Sequence, residues 1–181
     1  MTNYLFRRFE HNTEQKLWIA WIYGTTYYFP TTRVIWNEFP DMELVGLDRL
    51  KDWNNHNYKR LRYQTDTKWN KGHLPAQFES YKNWVGDRSQ IEAFRPFLTA
   101  SPRDNFDKLW DEVKTKFHKF GRYSTWFYMQ TLKQCCGLPI EPSNLMLEDF
   151  SGSRSHRNGL CMAVGKPEWY DSKLTSKELN Y

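Results

Sequence analysis

Apolar positions along this chain recur three and four residues apart, the spacing of helices that bury one face. After Thr13-Glu14-Gln15-Lys16, which resembles a capping box, Leu17, Trp18, Trp21, Ile22 and Tyr28 predict a helix over about 13–28, weakened at Gly24. Pro30 opens a second short helix through Val34, Ile35 and Trp36 that ends before Pro40, so the pair reads as a tight hairpin. A single turn over 41–44 precedes a helix over 47–61 with Leu50, Trp53 and Asn57 on one face. Further helices begin at Leu74-Pro75, with Phe78, Tyr81, Trp84 and Val85, and at Ser89, broken at Pro96. Ser101 and Pro102 are an N-cap and first helical residue, followed by the apolar face Phe106, Leu109, Trp110, Val113 and Phe117.

The stretch from Arg122 to Cys136 carries two apolar stripes. One runs through Tyr123, Phe127, Thr131 and Cys135, and the other through Trp126, Met129, Leu132 and Cys136. A helix apolar on most of its circumference belongs inside, so this one is expected to be central, with Gly121 at its entry and Gly137-Leu138-Pro139 as its stop. A last short helix is expected over about 172–179. No stretch has the Val- and Ile-rich alternation of strands. The prediction is an all-α fold in a single domain spanning residues 1–181, without internal repeats.

Two stretches lack an apolar period. Gln64 to His73 is rich in threonine, asparagine, lysine and tryptophan and reads as a loop; its acid, Asp66, is either a base or an ion partner for the cations around it. Glu148 to Gly159 gathers Ser151, Ser153 and Ser155 with Arg154, His156 and Arg157 around two glycines. If Ser153 caps a short helix, those cations fall in or beside its first turn, where the macrodipole disfavours each by roughly 0.3–1 kcal/mol. An anion there would offset this, and free amides, hydroxyls and guanidinium groups together suit phosphate or pyrophosphate. The other reading is a solvated polar loop.

At 181 residues the chain can bury a core without disulfides. Aromatics make up 18% against a mean hydropathy of −0.85, so rings replace aliphatics, mostly as core filler and in part as platforms for stacking bases. Net charge is +5, and the excess is concentrated in three zones: 59–71, 112–141 and 151–166. Three basic zones point to a polyanionic partner, with DNA or RNA ahead of membrane. Cys135, Cys136 and Cys161 lack metal-ligand spacing and read as core residues of a reducing compartment. No signal peptide or membrane-length apolar run is evident, which predicts a cytoplasmic protein. Phosphate-binding loops, dinucleotide fingerprints, zinc motifs and nucleophile elbows are missing, so no cofactor or metal is expected and any transferred group must arrive activated.

Five stretches together resemble the bacteriophage amino acid:DNA transferases, also called α-glutamyl/putrescinyl thymine pyrophosphorylases. They are 21–26 (WIYGTT), 36–40 (WNEFP), 65–75 (TDTKWNKGHLP), 119–127 (KFGRYSTWF) and 151–160 (SGSRSHRNGL), and the likeness extends over nearly the whole chain. The resemblance implies a helical core similar to that of DNA glycosylases and a role in thymine hypermodification in the host-cell cytoplasm. In that chemistry a separate DNA base kinase pyrophosphorylates a hydroxymethyl-uracil in double-stranded DNA. The transferase then replaces pyrophosphate with an amino acid or amine.

For such a displacement, Ser151, Ser153, Arg154 and Arg157 suit the departing pyrophosphate, and His156 could protonate it. A carboxylate should deprotonate the nucleophile, with Asp149 first and Asp66 second; Asp149 paired with Arg154 or Arg157 is the alternative. Flipping the target base calls for aromatic walls, for which Tyr27, Trp69, Tyr123 and Trp126 are candidates. Lys68, Lys71, Lys119 and Arg122 suit DNA phosphates. A base-excising glycosylase-like enzyme and a non-catalytic DNA-binding module are the competing readings.

Overall fold

The first helix, α1 (Thr13–Thr26), buries every residue from Leu17 to Ile22. A helix with no solvent-facing side along six consecutive residues can only be the centre of a domain. Around it, a computed structural model describes residue 9, residues 11–63, 72–146 and 155–170. In chain order these form α2 (Phe29–Glu38), α3 (Leu47–Asn57), α4 (Leu74–Val85) and α5 (Gln90–Phe94), the last continued by a 3₁₀ turn, Arg95–Phe97. Then come α6 (Pro102–Lys116), α7 (Arg122–Cys136), α8 (Ser155–Ala163) and a 3₁₀ turn, Pro167–Trp169. Among the described residues every regular element is helical, as expected of an all-α fold. The expected terminal helix over 172–179 lies outside them.

The most extensive helix pair is α1 with α7, and α1 also packs on α2 and α5, while α3 lies on α4 and α6 on α7. The expected central helix is thus one member of a central pair, and the more exposed one. Gln130, Lys133 and Gln134 of α7 reach solvent, whereas α1 is enclosed. Gly24, expected to weaken α1, has a different role. A Cβ there would lie 2.9 Å from Cδ2 of the buried Tyr128, so its absence lets the two backbones cross closely.

The core is a layer of rings. Trp18 stacks on Trp21 at 5.1 Å, Trp21 on Tyr81 at 5.1 Å, and Tyr81 on Trp84 at 5.9 Å, with Phe78 edge-on to both tryptophans of α1. Offset stacks and edge contacts each add about 0.5–1.5 kcal/mol beyond the area they bury. Nε1 of Trp18 donates to the Phe39 carbonyl at 2.8 Å, pinning the end of α2 to α1.

Several boundaries differ from those the sequence predicts. The N-cap of α1 is Asn12, whose Oδ1 accepts from the Gln15 amide at 3.0 Å, one residue before the predicted Thr13. Glu14 instead reaches α5, accepting from the Gln90 amide at 3.0 Å and the Ile91 amide at 2.8 Å. The capping box is at Ser89 and Glu92, also at the start of α5. That α-helix ends at Phe94, in keeping with the break expected at Pro96, and Pro96 itself lies in the 3₁₀ turn that follows. The turn over 41–44 is not helical, and α3 ends at Asn57 rather than 61, with Asn57 Nδ2 donating back to the Trp53 carbonyl at 2.7 Å. Ser101 and Pro102 start α6 as predicted.

Candidate functional site

The C-terminal end of α1 meets the N-terminal end of α7, and polar groups collect there. Tyr27 ends α1 in the left-handed region, at φ 49°, which turns its ring onto α7. Its hydroxyl forms a short hydrogen bond with Ser124 Oγ, and its ring meets Tyr123 edge-on at 5.4 Å and Phe127 at 5.1 Å. Tyr27 is buried, and that burial pushes its phenol well above the ordinary tyrosine value, with the Ser124 bond opposing; it stays neutral. Thr26 and Thr32 share a 2.7 Å hydroxyl contact that closes the α1–α2 joint, so these threonines are structural. Arg33 and Asn37 are exposed on α2.

The N-terminus of α7 is electrostatically open. Gly121 supplies no side-chain cap and no acid occupies the first turn, so no side chain of that turn offsets the positive end of the dipole, two residues after the Lys119 cation. Lys119 is itself exposed and left-handed, at φ 59°.

Arg122 corrects an expectation. It is 3% exposed rather than facing a phosphate, and its guanidinium donates to the Met146 carbonyl at 2.8 Å and, in a shorter bond, to the Leu145 carbonyl. A residue-type argument sees a cation on a basic helix start; the fold turns it inward to hold the chain at 145–146. Tyr27, likewise expected as a base wall, is enclosed. Tyr123 beside it is 37% exposed and presents ring surface to solvent.

Trp126 points elsewhere. It lies edge-on to Phe106 and Trp110 of α6, at 5.9 and 6.0 Å, and lines a cavity of about 180 Å³ with Met129, Lys133 and Ile140. Tyr27 and Tyr123 are therefore together, while Trp126 occupies a different side of α7.

Arg157, in α8, is 2% exposed, which is not the position of a side chain on a solvated loop. His156 lies in the first turn of the same helix. Asp66, Lys68, Trp69, Lys71, Asp149, Ser151, Ser153 and Arg154 lie outside the described residues.

The described neighbours of those stretches are held around the same end of the molecule. Thr31, near the start of α2, donates its hydroxyl to the Arg62 carbonyl in a short bond. Beside it Tyr63 is buried, with a hydroxyl that has no hydrogen-bond partner among the described residues and a pKa pushed up by burial. His73 rests against His118, ahead of α7, and Arg122 fixes residues 145–146. Tyr63, His73 and His118 were not candidates in the sequence. Tyr63 ends a basic run and the histidines are isolated, so only the folded contacts draw attention to them.

A family model described as amino acid:DNA transferase matches residues 1–180 of the chain. A serinyltransferase of Salmonella phage ViI is 34% identical over 172 residues, which make up 92% of this chain and 41% of that protein. The chain spans about two fifths of the length of that relative. No solved structure matches the chain, so the expected likeness to the DNA glycosylase fold rests on the sequence resemblance alone. Among the described residues no helix is long and apolar enough to cross a membrane, and no group of histidine, cysteine and acidic side chains could hold a metal ion.

Proposed function

Because the chain belongs to the amino acid:DNA transferase family, we propose that it displaces pyrophosphate from an activated 5-(pyrophosphoryloxymethyl)uracil in double-stranded DNA with an amino acid or amine. The product is a hypermodified thymine. A separate DNA base kinase supplies the activated base, and the reaction takes place in the cytoplasm of the infected cell. Serine is the first co-substrate to try, since the Salmonella phage ViI relative is named a serinyltransferase.

One structural observation carries this reading beyond family membership. Independent tethers, Thr31 to Arg62, Arg122 to residues 145–146 and His73 against His118, hold the flanks of both loop stretches around the paired ends of α1 and α7. Residues 62, 73 and 145–146, the described flanks of those stretches, thus have contacts beside these helix ends, which supports reading the two stretches as parts of one site. Arg154, Arg157, Ser151 and Ser153 would receive the leaving pyrophosphate, with His156 protonating it and Asp149 or Asp66 near the nucleophile. Tyr123 offers an exposed ring at the same place for an extruded base. Lys119, Lys68 and Lys71 would track the DNA phosphates.

The test is direct. Purified protein is mixed with duplex DNA carrying the pyrophosphorylated base and a panel of amino acids and polyamines, serine included. Pyrophosphate release and a nucleoside heavier by the added amino acid, read by mass spectrometry, are expected. Nucleosides unchanged across the whole panel refute the proposal, and abasic sites would indicate base excision instead.

A further inference from the structure

A pair of titratable rings that the sequence did not single out sits between two of the candidate stretches. His73 precedes α4 and follows Lys71 by two residues; His118 immediately precedes Lys119. Their ring centroids are 5.5 Å apart at 59°. This contact joins the flank of the 64–71 stretch to the segment that leads into α7.

The pair is held in place. The His118 amide donates to Ser80 Oγ at 2.9 Å, and that hydroxyl donates to the Gln77 carbonyl at 2.7 Å, so the turn between α6 and α7 is tied to α4. The left-handed backbone at Lys119 then sends the chain into α7. Both histidines are partly exposed. The groups acting electrostatically on His118 are His73, at the N-cap of α4, and the cation Lys119, from its own turn, and no described carboxylate forms an ion pair with either ring. Partial burial, the largest effect, and the neighbouring His73 and Lys119 all push the His118 pKa below the ordinary histidine value.

A neutral imidazole offers a ring nitrogen with a free lone pair, and one packed against a second imidazole beside a lysine keeps it at neutral pH. An incoming amino group arrives as ammonium and cannot attack until it sheds a proton. We propose that His118, poised by His73, is the general base that takes this proton. The inference rests on the transferase reading above.

In the step, R–NH₃⁺ gives one proton to the imidazole nitrogen, and the freed nitrogen lone pair forms the N–C bond to the exocyclic carbon. The C–O bond to pyrophosphate breaks, and pyrophosphate leaves with that electron pair. The second N–H proton passes to water. The imidazolium, disfavoured beside His73 and Lys119, returns its proton to solvent.

The experiment measures kcat for pyrophosphate release as a function of pH in the full chain, its His118→Gln variant and its His73→Asn variant. The His118 ring is titrated in parallel by NMR, which needs no turnover. His118→Gln should lower kcat about 100-fold or more with an unchanged circular dichroism spectrum. In His73→Asn the loss of a like-charged neighbour should raise the His118 titration midpoint and carry the acid limb of the kcat profile upward with it. A His118→Gln variant that keeps kcat within a few-fold of the parent overturns the inference, as it would if Asp149 or Asp66 were the base. So does an acid limb that stays put while the NMR midpoint moves. These outcomes leave the transferase reading intact. Absence of turnover in the parent chain removes both, and the NMR titration then reports the pair alone.

Discussion

Trp21 and Tyr27 lie on the same helix end to end, one in the middle of α1 and the other capping it, yet their surroundings have little in common. Trp21 is sandwiched between Trp18 and Tyr81, fully buried, and its Nε1 has no hydrogen-bond partner among the described residues. Tyr27 is enclosed too, but by Ser124 and the edge of Tyr123 in the first turn of α7, which Arg122 begins and Lys119 precedes. The first region is built of rings and aliphatic side chains; the second mixes rings with hydroxyls and, at the same helix start, a guanidinium group. Aromatic abundance in this chain therefore has two meanings, and the polar company of a ring decides which applies.

That division can be broken by substitution, beginning where the effect is greatest. Trp21→Ala should cost about 3–5 kcal/mol in urea unfolding, through the cavity it leaves in the stacked layer. Any loss of activity should follow the folded fraction alone. Arg122→Ala should cost roughly 1.5–3 kcal/mol by stranding the carbonyls of Leu145 and Met146. Lys119→Ala should leave stability unchanged and instead reduce the slope of log DNA affinity against log salt by about one. Equal stability losses in the two variants would erase the distinction between an inward and an outward cation.

Tyr123→Ala should leave unfolding nearly unchanged while weakening binding to DNA by about 1–3 kcal/mol, the contribution of one stacked base. An unaltered affinity would return Tyr123 to the packing class. Tyr27→Phe, which removes only the hydroxyl bonded to Ser124, should cost about 1 kcal/mol. The smallest effect is a pH dependence from His118. Its pKa is lowered in the folded state, so the unfolded chain holds the proton more tightly. Its contribution to stability is complete above the unfolded value of 6.5 and is lost as pH falls through that value toward the folded one. Urea midpoints that decline below that pH in the parent, and less so in His118→Gln, would confirm the sign.

Much of this was legible in the sequence, and the failures have physical causes. Periodicity located α1, α4, α6 and α7 because a buried face imposes a repeat whatever it packs against. It ranked α7 above α1 as the centre because two stripes looked like full burial, while Gln130, Lys133 and Gln134 in fact reach water. Gly24 read as a weak point because its value lies in a partner, Tyr128, more than a hundred residues away. The cap of α1 slipped by one residue because Asn12 and Thr13 are both good caps, and the choice depended on Glu14 being drawn to α5. Charge located basic zones but not their direction. Nothing about Arg122 as a residue says that it will face two carbonyls, and nothing about His73 and His118 says that they will meet.

The pairing of α1 with α7 also bears on how the protein is made. α1 leaves the ribosome ahead of α7, its principal partner, which follows roughly a hundred residues later, a delay of about 5–20 s at ordinary elongation rates. During that interval Leu17 to Ile22 lack α7, the helix with which α1 packs most extensively. A nascent chain stalled before Arg122 should accordingly be held by chaperones and be sensitive to proteases, and one that has cleared Cys136 should not.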